Sequence, residues 1–496
     1  MKIKLELSFD NLKTFKELIP DEWTKNIKRE TQKKRLLKFS NETFKVIADK
    51  KILQPKIDLS EGRIRIDRQS KYAGIMNPYT KKRVKGAPKE KRVLYVELVY
   101  SFEEKPKVLE FVPPLDKNGY PEVNMGFVTY HNSVPVTDFR YLNQATKLNL
   151  NWDDAWYSYF ENKNLTRHHK YPLMGYLYLE PRLVRVETLM RVDDISKLIS
   201  FEQTDQKGDK LELLKKQVQK YFQMDENLLI NGRHVKPDNV KVDLFRVSIT
   251  GLKLVESFTD LVESSVLVGV SKQYHVDKLP QSVESKWVYF NENVDKVPFD
   301  TIDPVGPYPD FIYRDDPMFR WKNHIKDKTE PKIIPVRTKT GKHWNLPIFG
   351  EINVWSELPT QEQGTEVIKQ TLENVRTAFI EKKEERLDQE LSKVLLSKNS
   401  ESIKKELSQL FAPSVIRGGI GAIEEFGTLN VDTIRELKDE DGFSVNVSGD
   451  VKVIAKHWGH SDRRALKYQF IIDMIEKDGE WFIKDFSLLG LKDKTS

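Results

Sequence analysis

Ile3-Lys4-Leu5-Glu6-Leu7-Ser8-Phe9-Asp10-Asn11-Leu12 and Val186-Glu187-Thr188-Leu189-Met190-Arg191-Val192-Asp193-Asp194-Ile195 are one pattern written twice, 183 residues apart. In each, apolar or β-branched residues alternate toward one face, which is the period of a half-buried strand. An aspartate then stands where a helix N-cap would accept backbone N–H bonds, at Asp10 and at Asp193.

Matches continue in order down the chain. Phe44 to Ile47 with the turn Ala48-Asp49-Lys50 answers Leu228 to Ile230 with Asn231-Gly232-Arg233, each a predicted hairpin. Pro55 pairs with Pro237, Val93–Val99 with Val266–Val270, and Pro106 with Pro280. Val134-Pro135 and Asp138 pair with Val297-Pro298 and Asp300, and Trp152 to Trp156 with Arg314 to Met318. The offset drifts from 183 to 162, as deletions in a second copy would produce. The predicted fold class is α+β: two tandem diverged, sandwich-like β-rich repeats at 1–172 and 173–330, each with a packed helix.

Residues 331–362, with Pro331, Pro335, Pro347 and Pro359, read as a linker. Beyond it Ile368, Leu372, Val375 and Phe379 recur at helical spacing, in a helix predicted to continue past Leu387 and Leu391. Ile403, Leu407, Leu410 and Phe411 predict a second helix. Alternating strands follow, with a turn at Lys477-Asp478-Gly479-Glu480. Helices first and a curved antiparallel sheet last resembles the cone-shaped nuclear transport factor 2-like fold, so 363–496 is expected to be one α+β domain.

Composition narrows the class. The chain has 496 residues, 39% of them hydrophobic, enough for several cores. No apolar run is long enough to span a bilayer, so direct membrane insertion by this chain is not expected. It has no cysteine, which suits an exported protein without disulfide partners. Residues 1–7 lack the apolar core of a signal peptide, so an exported chain would be numbered from a trimmed terminus. Lys81 to Arg92 is the densest basic stretch, but no aromatics alternate through it, and nucleic acid is not an expected partner.

Phe111-Val112-Pro113-Pro114-Leu115, Gly126 to His131, Asn164 to Lys170 and Leu179-Glu180-Pro181 have a family look, as do Thr301 to Pro307 and His457-Trp458-Gly459-His460. Together they resemble a family of uncharacterised bacterial envelope proteins over essentially the whole chain. The resemblance implies an exported, membrane-associated protein without an established activity, and it carries over no catalytic residue. Family members carry apolar segments near the linker, which this chain lacks.

Candidate sites are few. His131, His168 and His169 are possible metal ligands, although Arg167 and Lys170 would repel a cation. His457 and His460, with Asp473 and Trp481, are candidates to line a ligand cavity in the tail. Trp152, Trp156, Tyr157 and Tyr159 are candidate interface anchors, or else a buried aromatic cluster. Asp153-Asp154 and Asp315-Asp316 suit turn or capping roles. No motif for a P-loop, a dinucleotide or a nucleophile elbow occurs, and no cofactor is expected. The leading expectation is a non-enzymatic extracytoplasmic scaffold for an envelope or membrane protein partner. The alternatives are ligand binding or catalysis in the tail cavity, and electrostatic nucleic-acid binding.

Overall fold

A computed structural model describes residues 1–24, 28–64, 76, 91–123, 125–167, 171–199, 210–248, 251–255, 266–290, 294–325, 331–337, 342–346, 350–354, 358–396, 400–413, 421–438 and 440–493. The protein is α+β and mostly β, with several separate sheets.

The first 172 residues hold β1 (Lys2–Ser8), α1 (Gln32–Lys38), β2 (Lys45–Ala48), β3 (Lys51–Ile52), β4 (Lys56–Ile64), β5 (Arg92–Val99), β6 (Val108–Val112), β7 (Met125–His131), β8 (Val134–Pro135), β9 (Arg140–Tyr141), β10 (Thr146–Asn149) and β11 (Tyr159–Phe160). Alternation puts Ile3, Leu5 and Leu7 of β1 wholly inside and turns Lys2, Lys4 and Glu6 outward. β1 is therefore central, antiparallel to β5 and β7 in the order β4-β5-β1-β7-β8. The other sheet runs β11-β10-β6-β2-β3. Phe127 of the first sheet meets Phe44, Phe111 and Phe160 at ring distances of 6.5, 5.4 and 5.9 Å, so one apolar core fills a two-layer sandwich.

The next stretch holds β12 (Met174–Glu180), β13 (Leu183–Arg191), α2 (Val192–Ser196), α3 (Lys210–Gln223), β14 (Leu228–Ile230), β15 (Arg233–Val235), β16 (Asn239–Ser248), β17 (Gly251–Leu254), β18 (Val266–His275), β19 (Ser282–Lys286), β20 (Lys296–Ile302), β21 (Pro307–Tyr313) and β22 (Met318–Lys322). Its large sheet runs β17-β16-β18-β13-β12-β20-β21 and its small one β15-β14-β19-β22. The strand at the sequence position matching β1 is β13. Between it and β20 lies β12, antiparallel to β13 and parallel to β20. Asp193 is not an N-cap: Arg191 holds that place, and α2 gains its stabilisation from the Arg191–Asp194 ion pair at 2.8 Å.

Among the described residues, five hairpin turns carry both central residues in the left-handed region: Asp49-Lys50, Asn132-Ser133, Asn231-Gly232, Trp458-Gly459 and Asp478-Gly479. That is the type I′ signature, whose twist matches paired strands.

The stretch read as a linker is structured in part. β23 (Lys342–Leu346) and β24 (Gly350–Val354) form a hairpin. Asn374 clamps the main chain of Ile334 at 3.1 and 2.7 Å, and the Val336 carbonyl accepts the Trp481 N–H at 3.0 Å. These bonds tie 334–336 to the tail.

The tail comprises α4 (Gln361–Ala378), α5 (Glu384–Leu391), α6 (Ser400–Phe411), β25 (Ala422–Val431), β26 (Arg435–Glu436), β27 (Gly442–His457), β28 (His460–Lys477) and β29 (Glu480–Asp493), in a sheet ordered β25-β27-β28-β29 with β26 on β27. Thr360 and Gln363 close a capping box on α4. The helix does not run on past Leu387 as its pattern suggested. It ends at Ala378, where Phe379 turns inward to stack on Phe411 at 5.5 Å, and α5 restarts the apolar face that buries Leu391.

The described chain divides into two compact units. One is Met1–Pro172 with Met190–Leu211 and Asp243–Val268; the other is Leu173–Leu189 with Glu212–Val242 and Gly269–Ser496.

Candidate functional site

The tail residues expected to share a cavity do not converge. His457 ends β27 and His460 begins β28, register partners across the Trp458-Gly459 turn. The His457 side chain is buried, with Nε2 3.7 Å from Asp462; that of His460 lies outside the described residues. Asp473 stands 13 residues further along β28, about 40 Å of strand away, paired with Ser444 and Asp485. Trp481 is in the tail core against Phe443, ring to ring at 5.1 Å. The length of the paired strands β27 and β28 separates what the sequence suggested.

The candidate metal ligands fare likewise. His168 and His169 lie outside the described residues. His131 is buried, hydrogen-bonded through Nδ1 to Ser158 Oγ at 2.8 Å and edge-on to Trp152 at 4.6 Å. Burial pushes its pKa down to about 4, so the imidazole is neutral. Among the described residues no group of three His, Asp or Glu side chains is placed to hold a metal.

Of the expected interface anchors, Trp156 is buried and Trp152 donates its indole N–H to the Pro106 carbonyl at 2.7 Å. Tyr157 is half-buried, and Tyr159 is 57% exposed. Asp154 caps the turn beneath them by accepting the Trp156 N–H at 3.0 Å, and it also pairs with Arg191 at 2.5 Å. Arg167 sits 4.6 Å over the Trp156 ring and donates to the Pro135 and Trp156 carbonyls, each at 2.7 Å. Burial lowers the Arg167 pKa to about 10, which leaves it charged at neutral pH.

The densest polar constellation was not read from the sequence. On the face of the large sheet opposite Val184 and Val186, Tyr176 and Tyr178 of β12 stand beside Glu187 and Arg185 of β13. The Trp458-Gly459 turn seats on them. Arg185 ion-pairs with Glu187 and donates to the Lys456 carbonyl at 2.7 Å. Glu187 accepts the Trp458 N–H at 2.6 Å, and the Tyr178 hydroxyl accepts the Gly459 N–H at 2.8 Å. The guanidinium lies 4.1 Å over the Tyr178 ring. Burial raises the Glu187 carboxyl above the usual range, and Arg185 and the Trp458 N–H pull it back. Gly459 is needed here: its φ is +74°, and a Cβ would run into Tyr176. The arrangement is a latch, in which each buried charge finds main-chain as well as side-chain partners.

The same sheet ends at β21, an edge strand. Bonds from Arg314 N to the Asp295 carbonyl (2.8 Å) and from Asp303 N to the Gly306 carbonyl (3.2 Å) set the phase of its pairing with β20. Pro307, Pro309, Phe311 and Tyr313 therefore turn their main-chain groups outward. The prolines have no N–H, and that of Phe311 donates to Asp310 Oδ1 at 2.7 Å. The edge is poor in donors, which disfavours strand addition. Its side chains stay exposed: Phe311 38%, Tyr308 41% and Tyr313 48%.

The basic stretch Lys81–Lys89 lies outside the described residues; Arg92, at its end, sits 5.1 Å over the Phe9 ring. Among the described residues no helix is long and apolar enough to cross a membrane. No protein-family model matches the sequence, and no curated protein matches it.

Proposed function

We propose that this chain is a non-enzymatic binding module that organises a protein partner at the bacterial envelope, outside the cytoplasm. The observation that carries the reading is the aromatic edge of β21. Rigid Tyr and Phe side chains supply contact area at low entropic cost and are favoured at interface hot spots. Three of them stand exposed where strand addition is disfavoured, so a partner would be held by side-chain contacts. The envelope location rests on the cysteine-free composition and the family resemblance.

Residues 1–330 are read as a tandem duplication of a sandwich-like unit. Its support is the part of the pairing scheme that follows the sequence matches: β4-β5-β1 against β16-β18-β13, and β3-β2-β6 against β15-β14-β19. Residues 363–496, three helices followed by a sheet, are read as the nuclear transport factor 2-like cone.

The test is a tagged pull-down from fractionated cells with the native chain and with Phe311→Ser/Tyr313→Ser. Recovery of one or two envelope proteins by the native chain, lost with the variant, is the expected result. Equal recovery by both removes the β21 surface, and recovery of the chain alone from a soluble fraction removes the scaffold reading.

A further inference from the structure

A cavity of about 290 Å³ opens beside the Glu180–Arg185 turn of β12–β13, next to the C-terminal ends of α4 and α6. Its walls are apolar: Phe379, Ile380, Phe411, Ile423 and Ile454. Its charged lining is one-sided, with Arg185, Arg376, Lys382 and Lys456 against the single carboxylate of Glu180. That carboxylate faces Arg185 at 3.5 Å, and Arg376 pairs with Glu373 outside the lining, so the cationic excess falls on Lys382 and Lys456.

Arg376, Lys382 and Lys456 are anchored without being buried. Arg376 is oriented by Glu373 at 2.8 Å and by the Glu424 carbonyl at 3.2 Å. Lys382 donates to the Phe379 carbonyl at 3.3 Å. Lys456 sits on β27, where Arg185 holds its carbonyl. Apolar walls offer water few partners, so filling them with hydrocarbon is favourable. The volume equals about ten waters, small for a ligand pocket but sufficient for a short chain.

We propose that this cavity binds an amphipathic anion, a single apolar chain of about eight to ten carbons with its acidic head on Arg376, Lys382 and Lys456. The chain lies along Phe379, Phe411, Ile423 and Ile454, and the head stays at the solvated mouth, where charge costs least to desolvate.

The test is calorimetric titration of the full chain with decanoate and decyl phosphate below their micelle concentrations. Decanol and decyltrimethylammonium serve as controls. Saturable one-site binding of an anion, at least tenfold tighter than either control and weaker at high salt, is expected. Whichever anion binds more tightly names the head as carboxylate or phosphate. Arg376→Glu/Lys456→Glu should weaken it tenfold or more. So should Ala422→Trp, which places bulk at the mouth from an exposed position opposite Ile454. Melting without ligand reports whether each variant folds. Control amphiphiles binding as tightly as the anions, full binding by folded Ala422→Trp, or no saturable binding would each overturn the proposal.

Discussion

Two strands, β1 and β13, carry charges on the outer faces of their sheets and meet opposite surroundings. β1 presents Lys2 and Lys4 on the outer face of its sheet, and β13 presents Arg185 and Glu187 on the outer face of its own. Around β1 the charges form a solvated ladder: Lys2 pairs with Asp58 at 2.7 Å and Glu97 at 2.9 Å, and Lys4 with Glu97 at 3.4 Å. Around β13 the pair is covered by the Trp458-Gly459 turn and bonds to its main chain. The same strand alternation thus yields a surface ion pair in one place and a buried latch in the other. What differs is access of water, which screens the first and not the second.

The comparison breaks most sharply at Glu187. Glu187→Ala leaves the buried Arg185 with Glu180 at 3.5 Å as its remaining carboxylate and strands the Trp458 N–H, so a loss of about 3 kcal/mol is expected in denaturant unfolding. The apolar double variant Arg185→Met/Glu187→Leu should recover much of that loss, since a buried pair can be replaced by packing. A double variant as unstable as Glu187→Ala would mean that the main-chain bonds, and not the charges, hold the latch.

The ladder on β1 should respond far less. Lys2→Ala/Lys4→Ala is expected to cost below about 1 kcal/mol, and the difference from the native chain should shrink further in 1 M salt. A loss as large as that of Glu187→Ala would erase the contrast between the two faces.

A further effect is expected in the pH dependence of the unit that contains β1. His131 has its pKa lowered to about 4 by burial, from an ordinary value of 6.5. Between those values the unfolded chain holds the proton that the folded chain does not, so stability falls as pH drops from 6.5 toward 4. His131→Gln should flatten that part of the stability curve. An unchanged slope would assign it to other groups.

Much of the strand layout was legible. Ile3, Leu5 and Leu7 alternate, and they are the buried face of β1. Asp49-Lys50, Asn231-Gly232 and Asp478-Gly479 were read as turns and are turns, because left-handed backbone favours those residue types. The Asn132-Ser133 turn went unread, since a bare Asn-Ser pair without glycine is a weak signal. Trp458-Gly459 gives no clear turn signal, because its first residue is not the usual Asn or Asp.

The candidate sites were much less legible, and the reason is pairing. Sequence neighbours such as Asp473 and Trp481 are turned to different surroundings, and His457 lies the length of the paired strands β27 and β28 away from both. Trp152 and Trp156 look like interface anchors in composition, yet folding buries Trp156 and gives the Trp152 indole N–H the Pro106 carbonyl as its partner. Arg185 and Glu187 have the spacing of a solvated strand face, as Lys2 and Lys4 do.

Residue alternation and turn chemistry, being local, determined which stretches are strands, which faces are apolar and where the hairpins close. The tertiary structure alone decided that β12 enters between β13 and β20, that the tail hairpin covers Arg185 and Glu187, and that the apolar cavity has a cationic rim. Those outcomes depend on contacts between residues hundreds of positions apart. Burial changes the energy of a charge by more than any neighbour in sequence does.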